Sequence, residues 1–244
     1  MKIQKFITCL SLICSSTCAF SVSAAEPMSH MTLLQLCEEL PHQATSEQFQ
    51  AYEQCTKQSG PSQIAQHFAA IYQKTAGKVS LKYIDNTELV LEDFVEDDPA
   101  RYQSSSLWGC DASQRYCVIF QAGWESWGYL LVDRKTKLTS ELDGAPVFSP
   151  DSQLLFEYLD SRISENFSYN IIKLYRLDEA KPTLLMTKND SNFGVQSAKW
   201  LTAIRLEAKL QQFAGKDYSR YVDAGTMQLT VEGKEVKVTV ENAK

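Results

Sequence analysis

Histidine is scarce in this chain: 3 in 244 residues, at His30, His42 and His67. None follows position 67, so a Ser-His-Asp or Cys-His centre would have to draw its base from the N-terminal part. Gly-x-Ser-x-Gly, His-Glu-x-x-His, phosphate-loop and dinucleotide-binding patterns are all missing. There is no Cys-x-x-Cys and no close histidine pair, which argues against a zinc site. Basic residues are outnumbered, 24 Lys+Arg against 30 Asp+Glu. Without clustered Lys and Arg, neither nucleic acid nor an anionic membrane surface suits the chain. These absences predict a protein that is not an enzyme and that holds no metal and no cofactor.

The N-terminus carries an export pattern. Lys2 and Lys5 precede an apolar stretch from Phe6 to Phe20, and Val22-Ser23-Ala24-Ala25 supplies small residues for cleavage after Ala24 or Ala25. Ser15-Ser16-Thr17 interrupts the stretch before it reaches the 20 or so apolar residues of a spanning helix. Residues 1–25 are therefore expected to be a signal peptide and the product periplasmic, and no later segment is apolar enough to cross a bilayer. Cleavage removes two lysines and leaves 22 basic against 30 acidic side chains, a net charge of −8. It also removes three of seven cysteines and leaves Cys37, Cys55, Cys110 and Cys117. An even number in an oxidising compartment predicts two disulfides, and proximity favours Cys37–Cys55 and Cys110–Cys117.

Apolar spacing divides the remainder in two. Residues 26–77 are expected to be a short helical region. Its stripes are Leu33 to Leu40, Phe49-Tyr52-Cys55, and Ile64-Phe68-Ile71-Tyr72, the last ending near Gly77. Residues 78–244 are expected to be a β domain. Alternating or apolar runs mark strands at 79–84, 89–94, 117–120, 129–132, 154–158, 171–175 and 184–187. A hairpin is expected over 227–240 around Glu232-Gly233-Lys234, while 199–213 fits helix or strand. The fold class is mainly β with a short α-helical N-terminal region.

A repeat runs through the β part. Trp108-Gly109-Cys110-Asp111 and Phe148-Ser149-Pro150-Asp151 lie 40 residues apart, each an aromatic followed three places later by Asp, and Trp200 is a weaker third copy. Leu131-Val132-Asp133 and Tyr175-Arg176-Leu177-Asp178 repeat at a similar interval, the period of four-stranded propeller blades. The stretch from Gly128 to Asp133, then Leu142, then Pro146 to Phe156, resembles a blade of the TolB-type propellers, whose signature is an aromatic-Ser-Pro-Asp-Gly turn. It departs at Ser152, where glycine is usual, and at Thr136-Lys137, where a Thr-Gly turn is usual. The resemblance implies blade-like antiparallel sheets and a tendency to contact proteins; a closed propeller needs at least four blades, and the roughly 165 residues after the helices suit an incomplete or degenerate propeller or stacked antiparallel sheets equally. It carries no catalytic residue.

Two further features bear on function. Glu88, Glu92, Asp93, Glu96, Asp97 and Asp98 crowd one segment, without the ligand offsets or turn glycine of a calcium loop. A solvated edge is the plainer reading. Trp108, Tyr116, Phe120, Trp124, Trp127 and Tyr129 fall within 22 residues. Trp108, Tyr116, Trp124 and Trp127 are the candidate interface residues, because exposed aromatics anchor protein contacts or stack on sugar rings; a core role fits the same residues. The expected function is a periplasmic non-catalytic binding or accessory protein that contacts another envelope protein, in a secretion or toxin-immunity system among other settings. The alternatives are a carboxylate enzyme acting on cell-wall glycan or peptide, and a carbohydrate-binding module.

Overall fold

A computed structural model describes residues 61–94, 102–124, 126–160, 170–177, 181–190, 193–214 and 220–243. The expected signal peptide, the first two helices, Cys37, Cys55 and the 96–98 acids lie outside the described residues. The fold is mainly β: the described residues form four separate antiparallel sheets and one short helix, α1 (Pro61–His67).

The first sheet holds β1 (Tyr72–Thr75), β2 (Lys78–Lys82) and β3 (Glu88–Glu92). Here the expected third helix is corrected. It ends at His67, and Tyr72 opens a strand that pairs with Leu81. Gly77, at φ 84°, reverses the chain two residues after the strand ends, in a conformation a helix cannot use. The β structure thus starts at Tyr72 rather than Val79. Ile64 and Phe68 remain buried, packed on the β2 residues Val79 and Leu81.

The second sheet follows in chain order as β4 (Gln103–Cys110), β5 (Tyr116–Gly123), β6 (Ser126–Asp133) and β7 (Thr139–Leu142). The third is β8 (Ala145–Phe148), β9 (Leu154–Asp160), β10 (Asn170–Leu177) and β11 (Pro182–Asp190). The fourth is β12 (Gly194–Trp200), β13 (Arg205–Ala214), β14 (Arg220–Glu232) and β15 (Glu235–Glu241). Every strand pairs with its sequence neighbour. The ambiguous 199–213 stretch is the end of β12 and nearly all of β13, and Gly233, at φ 61°, turns the β14–β15 hairpin.

The sequence repeat matches the sheets. Trp108, Phe148 and Trp200 lie at or near the ends of the first strands of the second, third and fourth sheets. Leu131–Asp133 and Tyr175–Leu177 close the third strands of the second and third sheets. The turn after Phe148 is bonded by its own side chains. Ser149 Oγ accepts the Leu154 N–H at 2.9 Å and donates to Asp151 Oδ1 at 2.7 Å.

Three apolar clusters join successive sheets. Leu107, Cys110, Cys117, Ile119 and Val132 pack on α1 and the first sheet. The opposite face of the second sheet, with Tyr116, Val118, Tyr129 and Leu131, packs on Leu155 and Leu177 of the third. Phe156, Ile172 and Leu174 then meet Leu206, Leu210, Met227 and Leu229 of the fourth. Strands of the middle sheets are therefore apolar on both faces. Among the described residues no such cluster joins the first sheet to the fourth, and no closed barrel or propeller forms.

Candidate functional site: an aromatic groove beyond a hairpin

The β5–β6 hairpin positions the site. Tyr116↔Asp133, Val118↔Leu131, Phe120↔Tyr129 and Ala122↔Trp127 are cross-strand pairs on one face, the face turned to the third sheet. At the Tyr116 end it is covered. At the other end the register closes with Gly123↔Ser126, and Trp124 occupies the connecting loop. Trp127 and Trp124 are 42% and 55% exposed.

On the facing sheet, Leu155↔Tyr175, Glu157↔Lys173 and Leu159↔Ile171 form three successive layers from core to periphery. Leu159 and Ile171 line a groove of about 750 Å³ opposite the tryptophans, together with Tyr102, Gln103, Gln121, Ser126, Tyr129, Glu141 and Asp143. Its wall is partly a relay of rings. Trp108 lies 5.2 Å from Tyr129 between centroids, and Tyr129 lies 5.9 Å from Trp127 at 81°, an edge-to-face contact. Burial pushes the Tyr129 hydroxyl well above its ordinary pKa, so it stays protonated as a donor.

The floor beneath the groove is ionic. Glu157 is 0% exposed, and its Oε1 accepts N–H bonds from Asp143 at 2.6 Å and Gly144 at 3.0 Å. Those two residues form the link between the second and third sheets. Only glycine fits at 144, because a Cβ there would lie 2.2 Å from the Tyr158 carbonyl oxygen. Lys173 pairs with Asp143 and stands 3.9 Å from Glu157 Oε1. The Tyr175 hydroxyl approaches the same carboxyl, yet Glu157 Oε2 has no donor in hydrogen-bonding geometry. Burial raises the Glu157 pKa above the usual carboxylate range, against the pull of Lys173.

The four aromatic candidates separate cleanly. Trp124 and Trp127 stand at the groove. Trp108 is half-buried, packed against Phe120 and Tyr129. Tyr116 is corrected to a core residue: 3% exposed, with the Arg115 guanidinium 4.7 Å above its ring. Its pairing with Asp133 puts it at the covered end, so it presents no contact surface. Cys110 and Cys117 are disulfide-bonded across β4 and β5. They lie on the opposite face from Trp127 and about 17 Å along the strand from it at 3.4 Å per residue, so the bridge does not stiffen the groove.

Two acids in the described part of the acidic segment are occupied locally. Glu88 accepts the Ser80 hydroxyl, and Asp93 accepts the Ser105 N–H at 2.7 Å while lying 3.4 Å from Lys74. Among the described residues, no three His, Cys, Asp or Glu side chains converge as metal ligands.

Sequence reasoning missed Tyr102, Glu141, Asp143 and Glu157. Glu157 did leave a signal, as the lone acid in the apolar run Leu154-Leu155-Phe156-Glu157-Tyr158-Leu159. Glu141 and Asp143 left none, because surface acids are common and their place at the rim of the groove is set by the pairing of β7 with β6. No known family's sequence pattern matches this chain, and no curated protein matches it in sequence.

Proposed function

We propose that this is an exported, non-catalytic binding protein whose aromatic groove takes a segment of another envelope protein. The observation that carries the reading is the exposure of Trp124 and Trp127 beside a preformed cavity, on a sheet face whose other end is sealed. A soluble chain gains nothing in folding from leaving two indoles in water, whereas buried indoles dominate the energy of contacts. The export pattern of residues 1–25 supports a periplasmic setting. The four sequential sheets support reading the scaffold as an incomplete, propeller-like row of blades. A carbohydrate partner is the second reading, favoured by the Gln103 and Gln121 amides beside the exposed indoles.

The test is a photo-crosslinking residue at Trp124 in the native cell, with the same residue at Leu184, exposed on the third sheet, as control. A discrete protein adduct from position 124 alone is expected. Adducts that are missing, or the same from both positions, would sink the reading. Fractionation and N-terminal sequencing test export; an intact Met1 in cytosolic material would overturn that part.

A further inference from the structure

Resting on the protein-binding reading above, we infer that the segment enters the groove as an added strand. Its backbone pairs with the free edge of β6 at Trp127, and one of its side chains, an apolar one, packs against Leu159 and Ile171.

The register carries it. Along β6 the main-chain groups alternate between the two neighbouring strands. Arg134 N–H donates to the Arg115 carbonyl on the β5 side at 2.8 Å, and Asp133 N–H donates to the Leu138 carbonyl on the β7 side at 2.9 Å. No register shift interrupts β6, and Trp127 lies an even number of positions before Asp133. Its N–H and C=O therefore also point to the β7 side. There β7 pairs no further than Tyr129↔Leu142. Gly144, which would come next opposite Trp127, is turned into the third sheet: its N–H donates to Glu157, and the Tyr158 carbonyl fills the space beside it. Among the described residues, the Trp127 N–H and C=O have no hydrogen-bond partner. The gap lies in the groove, with Leu142 and Asp143 on one side and Ser126, Trp127 and Gly128 on the other.

Other edges of the molecule are guarded. β11 begins with Pro182 and carries Lys188, and β15 carries Glu235, Lys237 and Glu241, residue types that discourage strand pairing. Ser126-Trp127-Gly128 has neither charge nor proline. An antiparallel strand that continues the direction of β7 can exchange both hydrogen bonds with Trp127. Its residue opposite Trp127 then shares that side chain's face, where Leu159 and Ile171 stand across the groove, and an apolar side chain fits there. The flanking side chains point to the other face, where a Cβ on Gly128 would meet nothing within 4 Å. One residue is a short edge, so the indoles and the apolar contact must supply the rest of the affinity.

The experiment reads main-chain groups. In amide hydrogen exchange of the full-length protein, followed by NMR, Trp127 should exchange about a hundredfold faster than Gly128, which is bonded to β5. The probe is the best binder from an array of random twelve-residue peptides screened with the labelled protein. Saturation with it should slow the Trp127 amide about tenfold or more. Methylating the peptide's backbone nitrogens singly should weaken binding about tenfold at the residue opposite Trp127 and little at its neighbours, whose N–H groups point away. Truncating that residue to alanine should also cost about tenfold. Ile171→Ala should weaken the parent peptide and leave the truncated one nearly unchanged. Thermal unfolding checks that the variant keeps its fold.

A slow Trp127 amide in the free protein means that the edge is already taken and overturns strand addition. So does a bound peptide that leaves the Trp127 amide unmoved, or one that tolerates methylation at every nitrogen. Protection that grows with protein concentration in the absence of peptide marks a second copy as the occupant and overturns it too, as does an array without binders. If the crosslink from Trp124 still forms in cells while these readouts fail, the protein-binding reading stands and only the strand pairing falls.

Discussion

The seam between the second and third sheets has one sealed end and one exposed end, although both are built on the same two faces. At the sealed end Tyr116, Val118 and Leu131 meet Leu155 and Leu177. The adjoining turns are held by side chains: Asp111 Oδ1 accepts the Tyr116 N–H at 2.7 Å, Asp133 accepts the Lys135 N–H at 2.9 Å, and Ser149 accepts the Leu154 N–H. At the exposed end the facing residues are Trp127 and the Leu159↔Ile171 pair. The connection there is held instead by one buried carboxylate, Glu157. Continuous strands can thus supply a core at one end and a recognition surface at the other, with an ionic layer where the two meet.

The sharpest way to break the comparison is to truncate one residue at each end. Leu155→Ala removes a fully buried side chain, and unfolding by urea should show a loss of about 3 kcal/mol. Trp127→Ala removes a larger side chain, yet the loss should stay within about 1 kcal/mol because much of that ring is in water already. Equal losses would mean that the exposed end is core after all.

The sealed end was the more legible in sequence. Its strands are runs of apolar residues, and its turns contain the Asp and Ser that accept backbone N–H groups locally, so Phe148-Ser149-Pro150-Asp151 was readable as a turn within a short window. Cys110 and Cys117 were readable for the same reason, flanking one hairpin. The groove was half legible. Trp124 and Trp127 stood out, but Tyr116 and Trp108 looked equivalent until the register placed one in the core and the other against it. Glu141 and Asp143 belong to the site only because β7 lies beside β6, a pairing that local pattern does not encode. Tyr72–Thr75 was misread because Ile64, Phe68, Ile71 and Tyr72 keep helical spacing; the hairpin at Gly77 and the pairing with β2 outweighed it.

The disulfide provides the next measure. Cys110 and Cys117 are seven positions apart and fully buried on the face toward the first sheet. Replacing both with alanine should lower stability by about 2 kcal/mol, as loop-closure entropy for so short a ring implies. Peptide binding at the groove should not change, since the bridge is on the other face. An equal fall in stability and affinity would show that the two ends are coupled.

Glu157 tests the ionic layer through pH. Its folded pKa is raised by burial, so between the ordinary carboxylate value and the raised one the folded protein holds more protons than the unfolded chain. Stability from this group is full below that window and falls as pH rises through it. Glu157→Gln keeps an acceptor for the Asp143 and Gly144 N–H groups and removes the titration. Urea unfolding from about pH 4 to 8 should show the variant gaining on the wild type as pH rises. Parallel profiles would remove Glu157 as the source of that dependence.

The smallest effect concerns the turn after Phe148, at the sealed end. Ser152 has φ 58° and Lys137 φ 65°, both in the left-handed region, and these are the positions where the blade signature has glycine. A non-glycine residue there costs about 1 kcal/mol, and glycine loses roughly half of that back through greater freedom in the unfolded chain. Ser152→Gly should therefore stabilise by about 0.5 kcal/mol, readable as a small rise in the thermal midpoint. Lys137→Gly should gain less. Lys137 pairs with Asp85 at 2.6 Å and lies 5.5 Å from the Tyr83 ring, contacts between the second sheet and the first that glycine would delete. Both ion-pair partners are well exposed, so the loss is small and offsets the backbone gain rather than reversing it. A larger gain at 137 than at 152 would show that the Asp85 pair contributes nothing and that the backbone alone sets the cost at these two turns.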